Sequence, residues 1–242
     1  MRLILMALTV LASVQTSAQT PPAFEVASVK PSQPDTPGRA SLDAAHFICT
    51  GMTLRSLIWS VYRMPPWRVS GGPSWLDTEG WDVSATLPPG MPANRAELMP
   101  KADLMVQTLL ADRFKLSVHR EIKDQPVYEL VVAKGGSKLR PASDEKFIPK
   151  VGRGRLELRH VSMAMFVSYL YYPPPHQQPG MADRPVLDKT GLDGFFDITL
   201  DWAEAGPSLF TALEEQLGLK LEPRKTPIEF LVIDNVEKPA AN

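Results

Sequence analysis

The sequence lacks the cysteine that a disulfide framework needs and, beyond its first residues, it lacks a long apolar run. Cys49 is the single cysteine in 242 residues, so no disulfide can form within the chain and a hydrophobic core must hold the fold. We expect Cys49 to be a small buried apolar residue, with a reactive thiol as the alternative. Because no run of about 18 apolar residues occurs beyond the N-terminal leader, we predict no membrane insertion once this leader is cleaved.

An excess of charge of either sign is also missing. The chain carries 26 basic and 27 acidic residues, and loss of Arg2 with the leader would leave 25 and 27. Binding to nucleic acid phosphates requires a clustered excess of lysine and arginine. The balance therefore predicts that nucleic acid is not a partner.

The motifs of common enzyme and metal sites are absent as well. No Gly-x-Ser-x-Gly elbow and no phosphate-binding Gly-x-x-x-x-Gly-Lys occurs. The acidic segment from Asp188 to Asp201 lacks the order of a calcium loop, so we expect a turn in which Asp188 bonds its own backbone. None of the four histidines has a partner four residues away: His46, His119, His160 and His176. The sequence thus predicts no catalytic residue, no metal site and no cofactor.

The N-terminus has the pattern of a secretory signal peptide over residues 1–18. Arg2 supplies the positive charge, residues 3–14 form an apolar stretch, and small residues precede a cleavage point after Ala18. The apolar stretch is too short to span a bilayer, although an uncleaved anchor is the alternative. We therefore expect a periplasmic or secreted protein.

The second half of the chain repeats the order of the first half. A capped apolar helix, a glycine turn, a strand, a second helix and a closing apolar strand occur twice in the same order. This order predicts an α+β fold of two similar small units, each with helices packed on a mixed or antiparallel sheet. The predicted domains are 19–140 and 156–242, with 141–155 as a linker. The matching segments are 53–62 and 162–171, 80–85 and 194–199, 114–116 and 219–221, and 126–132 and 227–233.

Helix starts and apolar faces are predicted from capping residues and from spacing. Thr53, Ser162 and Ser208 are expected N-caps, and Gly218 is an expected C-terminal glycine. A further helix is predicted over 102–113, with Leu104, Leu109 and Leu110 as its apolar residues.

Tryptophans and glycines cluster between residues 59 and 81, and this segment is the candidate ligand-binding site. Gly71 and Gly72 form a turn, and Trp75 and Trp81 follow it closely. Functionally, the segment predicts an aromatic-lined groove for a peptide, a glycan or a small ligand. Structurally, the same tryptophans would cap the core of a small domain. Both interpretations stay open at this point.

Several segments, in order, resemble one protein family over nearly the whole mature chain: 24–32, 53–58, 71–76, 112–116, 119–121, 126–128, 188–194, 217–222 and 232–239. They are similar to the soil-associated secreted protein family that is expanded in soil acidobacteria. The resemblance implies an exported protein of unknown function, with no catalytic residues to carry over. In that family the domain also occurs attached to membrane peptidases similar to β-lactam-sensing receptors, which implies a sensory or binding role. The chain departs from the family in its proline-rich segment from Tyr171 to Pro179.

These observations favour an exported, non-enzymatic binding or interaction module. Its expected partner is an envelope protein, a peptide or a glycan. The alternative is an envelope hydrolase with a site between the two units, assembled from His119, Asp188 and Asp193. A third interpretation is a structural envelope protein that assembles only with itself.

Overall fold

The computed structural model describes residues 21–144, 146–152, 154–171, 181–202 and 207–239. Helices and strands in mixed or antiparallel sheets confirm the predicted α+β class. The chain forms two compact units: unit 1 contains residues up to His119 and from Leu231 onward, and unit 2 is Arg120–Phe230. The predicted signal peptide, 1–18, and most of the proline-rich segment lie outside the described residues.

The first half of the chain contains six strands and three helices. In order they are β1 (Val26–Pro31), β2 (Arg39–Leu42), β3 (His46–Thr53), α1 (Leu54–Val61), a 3-10 turn (Pro66–Arg68), β4 (Val69–Gly71), α2 (Trp75–Thr78), β5 (Gly80–Thr86), α3 (Arg95–Phe114) and β6 (Ser117–Val132).

The second half contains the remaining elements. In order they are β7 (Arg140–Pro141), β8 (Ile148–Gly152), β9 (Arg155–Val161), α4 (Met163–Tyr171), β10 (Val186–Asp188), β11 (Phe196–Asp201), α5 (Leu209–Ala212), a π-helical turn (Leu213–Leu217) and β12 (Leu219–Asn235). No helix in the described parts of the chain combines the length and the apolar character that a membrane crossing requires.

The core of unit 1 lies between helices and an antiparallel sheet of strand order β1-β5-β3-β2. Alternate residues of β5 point into this core, as the sequence predicts: Trp81, Val83 and Ala85 are all buried. The Thr53 side chain accepts a hydrogen bond from the Ser56 amide and so begins α1 where the sequence predicts. The face of α1 that packs on the sheet is the predicted one: Leu54, Leu57, Ile58 and Val61.

Unit 2 has its own core on an antiparallel sheet of strand order β7-β11-β9-β8. Ser162 accepts a hydrogen bond from the Met165 amide, and Ser208 accepts one from the Thr211 amide, so both predicted caps are confirmed. The buried residues of α4 include Phe166 and Leu170.

The chain enters unit 2 within β6 and returns to unit 1 within β12, so unit 1 is discontinuous in sequence. In unit 1, β4 pairs in parallel with Leu231–Ile233 near the end of β12. In unit 2, β10 pairs in parallel with Tyr128–Leu130 of β6. In each unit, a parallel pairing therefore joins two strands that lie far apart in the sequence. Local sequence patterns do not reveal such a pairing.

The compact units differ from the predicted boundaries of 19–140, 141–155 and 156–242. The predicted linker contains β8, which pairs with β9 inside unit 2, and residues from Leu231 onward lie in unit 1. The residues of β8 are largely exposed, which explains why an edge strand has the composition of a linker. The internal duplication stays a prediction. The order of strand, helix, strand and strand in β3, α1, β4 and β5 occurs again in β9, α4, β10 and β11.

Helix α3 begins at Arg95 rather than at residue 102. The Asn94 side chain accepts a hydrogen bond from the Ala96 amide, and Pro100 lies inside the helix instead of preceding it. Leu104, predicted on the apolar face, is 49% exposed. The predicted Leu109 and Leu110 are buried, and they share the face that packs on the core with Ala102, Met105 and Val106.

The long strands β6 and β12 each follow a helical segment, and a residue in the left-handed conformation ends that segment in both cases. Lys115 follows α3 with φ of 51°, and Gly218 follows the π-helical turn with φ of 66°. Within unit 1 the Glu237 amide donates to the Phe114 carbonyl at 2.7 Å, and within unit 2 the Lys138 amide donates to the Leu217 carbonyl at 2.9 Å. Each helix end is thus satisfied by a backbone segment that folds back on it.

We predict opposite stability changes at these two positions. Lys115→Gly should raise the free energy of unfolding by about 1 kcal/mol, because glycine adopts a left-handed conformation without steric cost. Gly218→Ala should lower it by at least about 2 kcal/mol, because a Cβ there would lie 2.1 Å from the Gly136 carbonyl oxygen. Urea denaturation of both variants measures these changes. Lys115→Ala is the control, since it removes the amine but keeps a Cβ on a residue in the left-handed conformation. If Lys115→Ala stabilised the fold as much as Lys115→Gly, that result would contradict the account.

Candidate functional site

Trp81 of the predicted groove lies in the core of unit 1. It is 3% exposed, and its ring meets the ring of Phe114 edge-on with centroids 4.9 Å apart. Its buried Nε1–H has no hydrogen-bond acceptor among the described residues, which is uncommon for a buried indole and is offset by the packing of the ring in the core. The structure therefore favours the core interpretation for Trp81.

Trp75 lies at the start of α2 and is only partly buried. Its ring meets Trp81 edge-on at 6.3 Å, and the Lys238 ammonium lies 5.5 Å from the Trp75 ring centroid. The same ammonium pairs with Glu79 Oε1 at 2.6 Å. The C-terminal segment thus covers part of Trp75 and fixes the position of Glu79.

Gly71 and Gly72 have structural reasons to be glycine. Their φ angles are +80° and +76°. A Cβ at Gly71 would lie 2.7 Å from the Ile233 carbonyl oxygen, and one at Gly72 would lie 2.4 Å from Leu76 Cδ1. The glycine turn lets β4 approach β12 and lets α2 pack behind it.

An open cleft in unit 1 borders the same segment. The unit 1 cleft has a volume of about 520 Å3, within the range of small-ligand sites. Its lining contains two carboxylates, Asp35 and Glu79, and no lysine, arginine or histidine. Asp35 has no ion-pair partner among the described residues and is exposed, whereas Glu79 is neutralised by Lys238. The lining residues are Pro31, Ser32, Gln33, Pro34, Asp35, Thr36, Gly51, Thr53, Thr78, Glu79 and Gly80.

The floor of the unit 1 cleft is held by Asp82. Asp82 Oδ1 accepts hydrogen bonds from the Ser32 hydroxyl and, at 3.0 Å, from the Gly51 amide. The Ser32 hydroxyl has the largest influence on the carboxyl and holds the pKa of Asp82 below its ordinary value, although partial burial acts in the opposite direction. A Cβ at Gly51 would lie 2.3 Å from the Thr36 carbonyl oxygen, so the loop packs directly on this glycine.

The three residues of the predicted hydrolase site have separate local surroundings. His119 Nδ1 lies 2.7 Å from Asp234 Oδ1 in unit 1, and both side chains are about half exposed. In unit 2, Asp188 accepts hydrogen bonds from the amide and hydroxyl of Thr190, which confirms the predicted turn, and Asp193 is exposed. No group of three or more metal-binding side chains occurs within the described ranges.

Cys49 is the buried apolar residue that the sequence favours. It is 1% exposed, and burial raises the pKa of its thiol to about 11. The reactive thiolate is therefore scarce at neutral pH, and Cys49 serves the core of unit 1.

Sequence reasoning missed a second cleft, which lies in unit 2. The unit 2 cleft has a volume of about 560 Å3. Glu214 and Glu215 are adjacent in the sequence, and both line this cleft from the wider π-helical turn. The lining residues are Ala133, Gly135, Gly136, Lys138, Phe210, Thr211, Glu214, Glu215, Gly218, Lys220 and Leu221.

We predict that Asp82→Asn lowers the free energy of unfolding near neutral pH. The lowered pKa means that the carboxylate stabilises the folded state above the carboxyl pKa of the unfolded chain, about 4, and that this contribution is lost as pH falls through the folded-state pKa. The variant should therefore lose less stability than the wild type between about pH 5 and pH 2. Urea denaturation across this range measures the difference, with the exposed Asp193→Asn as control. Parallel pH profiles for wild type and Asp82→Asn would contradict the assignment.

Comparison with known proteins gives a family. No curated protein and no solved structure matches the chain. The family model described as "Protein of unknown function (DUF3738)" matches residues 55–236, which covers α1 through β12 and therefore most of both units. This agrees with the expected resemblance to an uncharacterised family. The chain belongs to the DUF3738 family.

Proposed function

We propose that the protein is an exported, non-enzymatic binding module that holds a polar envelope ligand, a peptide or a glycan, in the unit 1 cleft. The observation that carries the proposal is this open cleft of about 520 Å3 beside α2, with the Asp35 carboxylate free at its rim. A periplasmic or secreted location follows from the signal-peptide pattern of residues 1–18. The proposal includes membership of the soil-associated secreted group and a sensory role, both supported by the resemblance.

The geometry of the lining supports a polar ligand. Backbone groups, hydroxyls and prolines line the cleft, and most of the hydroxyls already bond nearby acceptors. Thr36 Oγ1 donates to the Gln33 carbonyl at 2.8 Å, and Thr53 Oγ1 donates to Ser56 Oγ at 2.8 Å. The Asp35 carboxylate and the Gln33 amide are therefore the polar side-chain groups best placed to bind a ligand. Both can accept hydrogen bonds from the hydroxyl or amine groups of sugars and peptides.

The candidate residues then divide into two roles. Thr78 at the end of α2, with Glu79 and Gly80 after it, forms one wall of the cleft, and Trp75 lies at the start of the same helix. Gly71, Gly72 and Trp81 support that wall from below through β4 and the core. This division explains why the cluster is rich in both glycine and tryptophan.

We predict that Asp35→Asn weakens capture of the ligand by roughly fivefold, because an exposed charged contact contributes about 1 kcal/mol. Asp35 has φ of 59°, and asparagine tolerates this left-handed conformation, so the backbone should not change. The chain from residue 19 is used to capture partners from its own cell-envelope extract and culture medium, read by mass spectrometry and glycan analysis.

Asp193→Asn is the matched control, since it removes an exposed carboxylate of unit 2 outside both clefts. A partner retained equally by the wild type and by Asp35→Asn would contradict the assignment of this cleft. Trp75→Ala should also weaken capture if circular dichroism shows that the variant remains folded.

A further inference from the structure

We infer that the unit 2 cleft is a second binding site, for a short peptide segment in which a basic side chain adjoins an aromatic or aliphatic one. The inference concerns a site distinct from the unit 1 cleft and uses only residues of unit 2. Its volume of about 560 Å3 lies within the range of small-ligand sites.

The walls of this cleft are held together before any ligand arrives. The Lys138 amide donates to the Leu217 carbonyl and the Ala133 amide donates to the Gly218 carbonyl, each at 2.9 Å. Lys138 Nζ also donates to the Glu215 carbonyl at 2.6 Å, which satisfies the end of the π-helical turn. A site with preformed walls loses less conformational entropy on binding than a mobile one.

One lining glycine is not explained by the fold. Gly136 has φ of +83° and Gly218 packs on the Gly136 carbonyl, so both have backbone reasons to be glycine. Gly135 has no such φ, and a Cβ there would meet nothing within 4 Å. Its missing side chain keeps the cleft open, which is the function we assign to it.

Of the two lysines and two glutamates in the lining, the glutamates are the side chains without a polar partner in the described segments. The carboxylates of Glu214 and Glu215 are exposed and have no ion-pair partner in the described segments. The Lys138 ammonium keeps its charge but is held by the Glu215 carbonyl, and the Lys220 ammonium lies 3.5 Å from Glu222 Oε1, so neither lysine is paired with Glu214 or Glu215. The two unpaired carboxylates are therefore the charged groups left to bind an ammonium or a guanidinium.

Phe210 supplies the apolar part of the site. It is 43% exposed, and its ring meets Tyr128 edge-on with centroids 5.2 Å apart. Tyr128 is held in turn by the Arg184 guanidinium, 4.7 Å from its ring centroid. A supported aromatic ring next to carboxylates binds an apolar group or the flat face of a guanidinium. Together the ring and the carboxylates define the basic and apolar pair of side chains.

The test titrates the chain from residue 19 with acetyl-Arg-Phe-amide and acetyl-Glu-Phe-amide, followed by amide chemical shifts in NMR spectra. The basic probe should shift residues of 133–138 and 210–221 in a saturable way, and the acidic probe should bind at least about fivefold more weakly. Equal binding of the two probes, or shifts confined to other segments, would overturn the inference.

Two variants test the assigned roles within the same experiment. Gly135→Leu should fill the cleft and abolish the shifts, while Gly152→Leu is the matched control, because a Cβ at Gly152 makes only an ordinary 3.7 Å contact outside the cleft. If Gly135→Leu does not fold, the double variant Glu214→Gln, Glu215→Gln decides: the basic probe should bind about fivefold more weakly to it. Unchanged affinity of the double variant would reject the site.

Discussion

The structure of unit 1 depends on the return of the chain end. Leu231 and Ile233 of β12 are 1% and 5% exposed, and they join a core otherwise built from residues before His119. Burial of two such side chains contributes about 3–6 kcal/mol before opposing costs, a large share of the net stability of a small domain. Parallel pairing with β4 fixes the register of this strand, and the Glu237 amide then satisfies the end of α3.

This constraint extends from the core to the proposed site. Because β12 places Ile233 against Gly71 and Gly72, the turn before α2 has the close approach that only glycine permits. Five residues later, Lys238 reaches both Trp75 and Glu79. Glu79 lines the unit 1 cleft, so the geometry of that cleft is set by residues more than 150 positions later in the sequence. In unit 2, other contacts hold the walls of the unit 2 cleft, and these contacts are made by Gly218 and Lys138.

Local features were predictable from the sequence, because local physics determines them. The caps at Thr53 and Ser208, the inward alternation of β5 and the turn at Asp188 follow from side chains that bond or pack near themselves. The features that were not predictable depend on contacts between residues that are far apart in the sequence. Gly71 signals a turn, but only the position of Ile233 shows why no Cβ fits there. Similarly, nothing near Glu214 and Glu215 indicates that a loop 75 or more residues earlier forms the opposite wall of their cleft.

The dependence of unit 1 on its final strand is tested most directly by hydrogen exchange on a chain that ends at Phe230, compared with the full-length chain. The account predicts that the amides of α1, β4 and the end of α3 lose most of their protection, because β4 loses its pairing partner and the core loses Leu231 and Ile233. It also predicts that amides of α4 and β9 in unit 2 stay protected, since their core does not include these residues. Unchanged protection of α1 and β4 in the shortened chain would contradict the account.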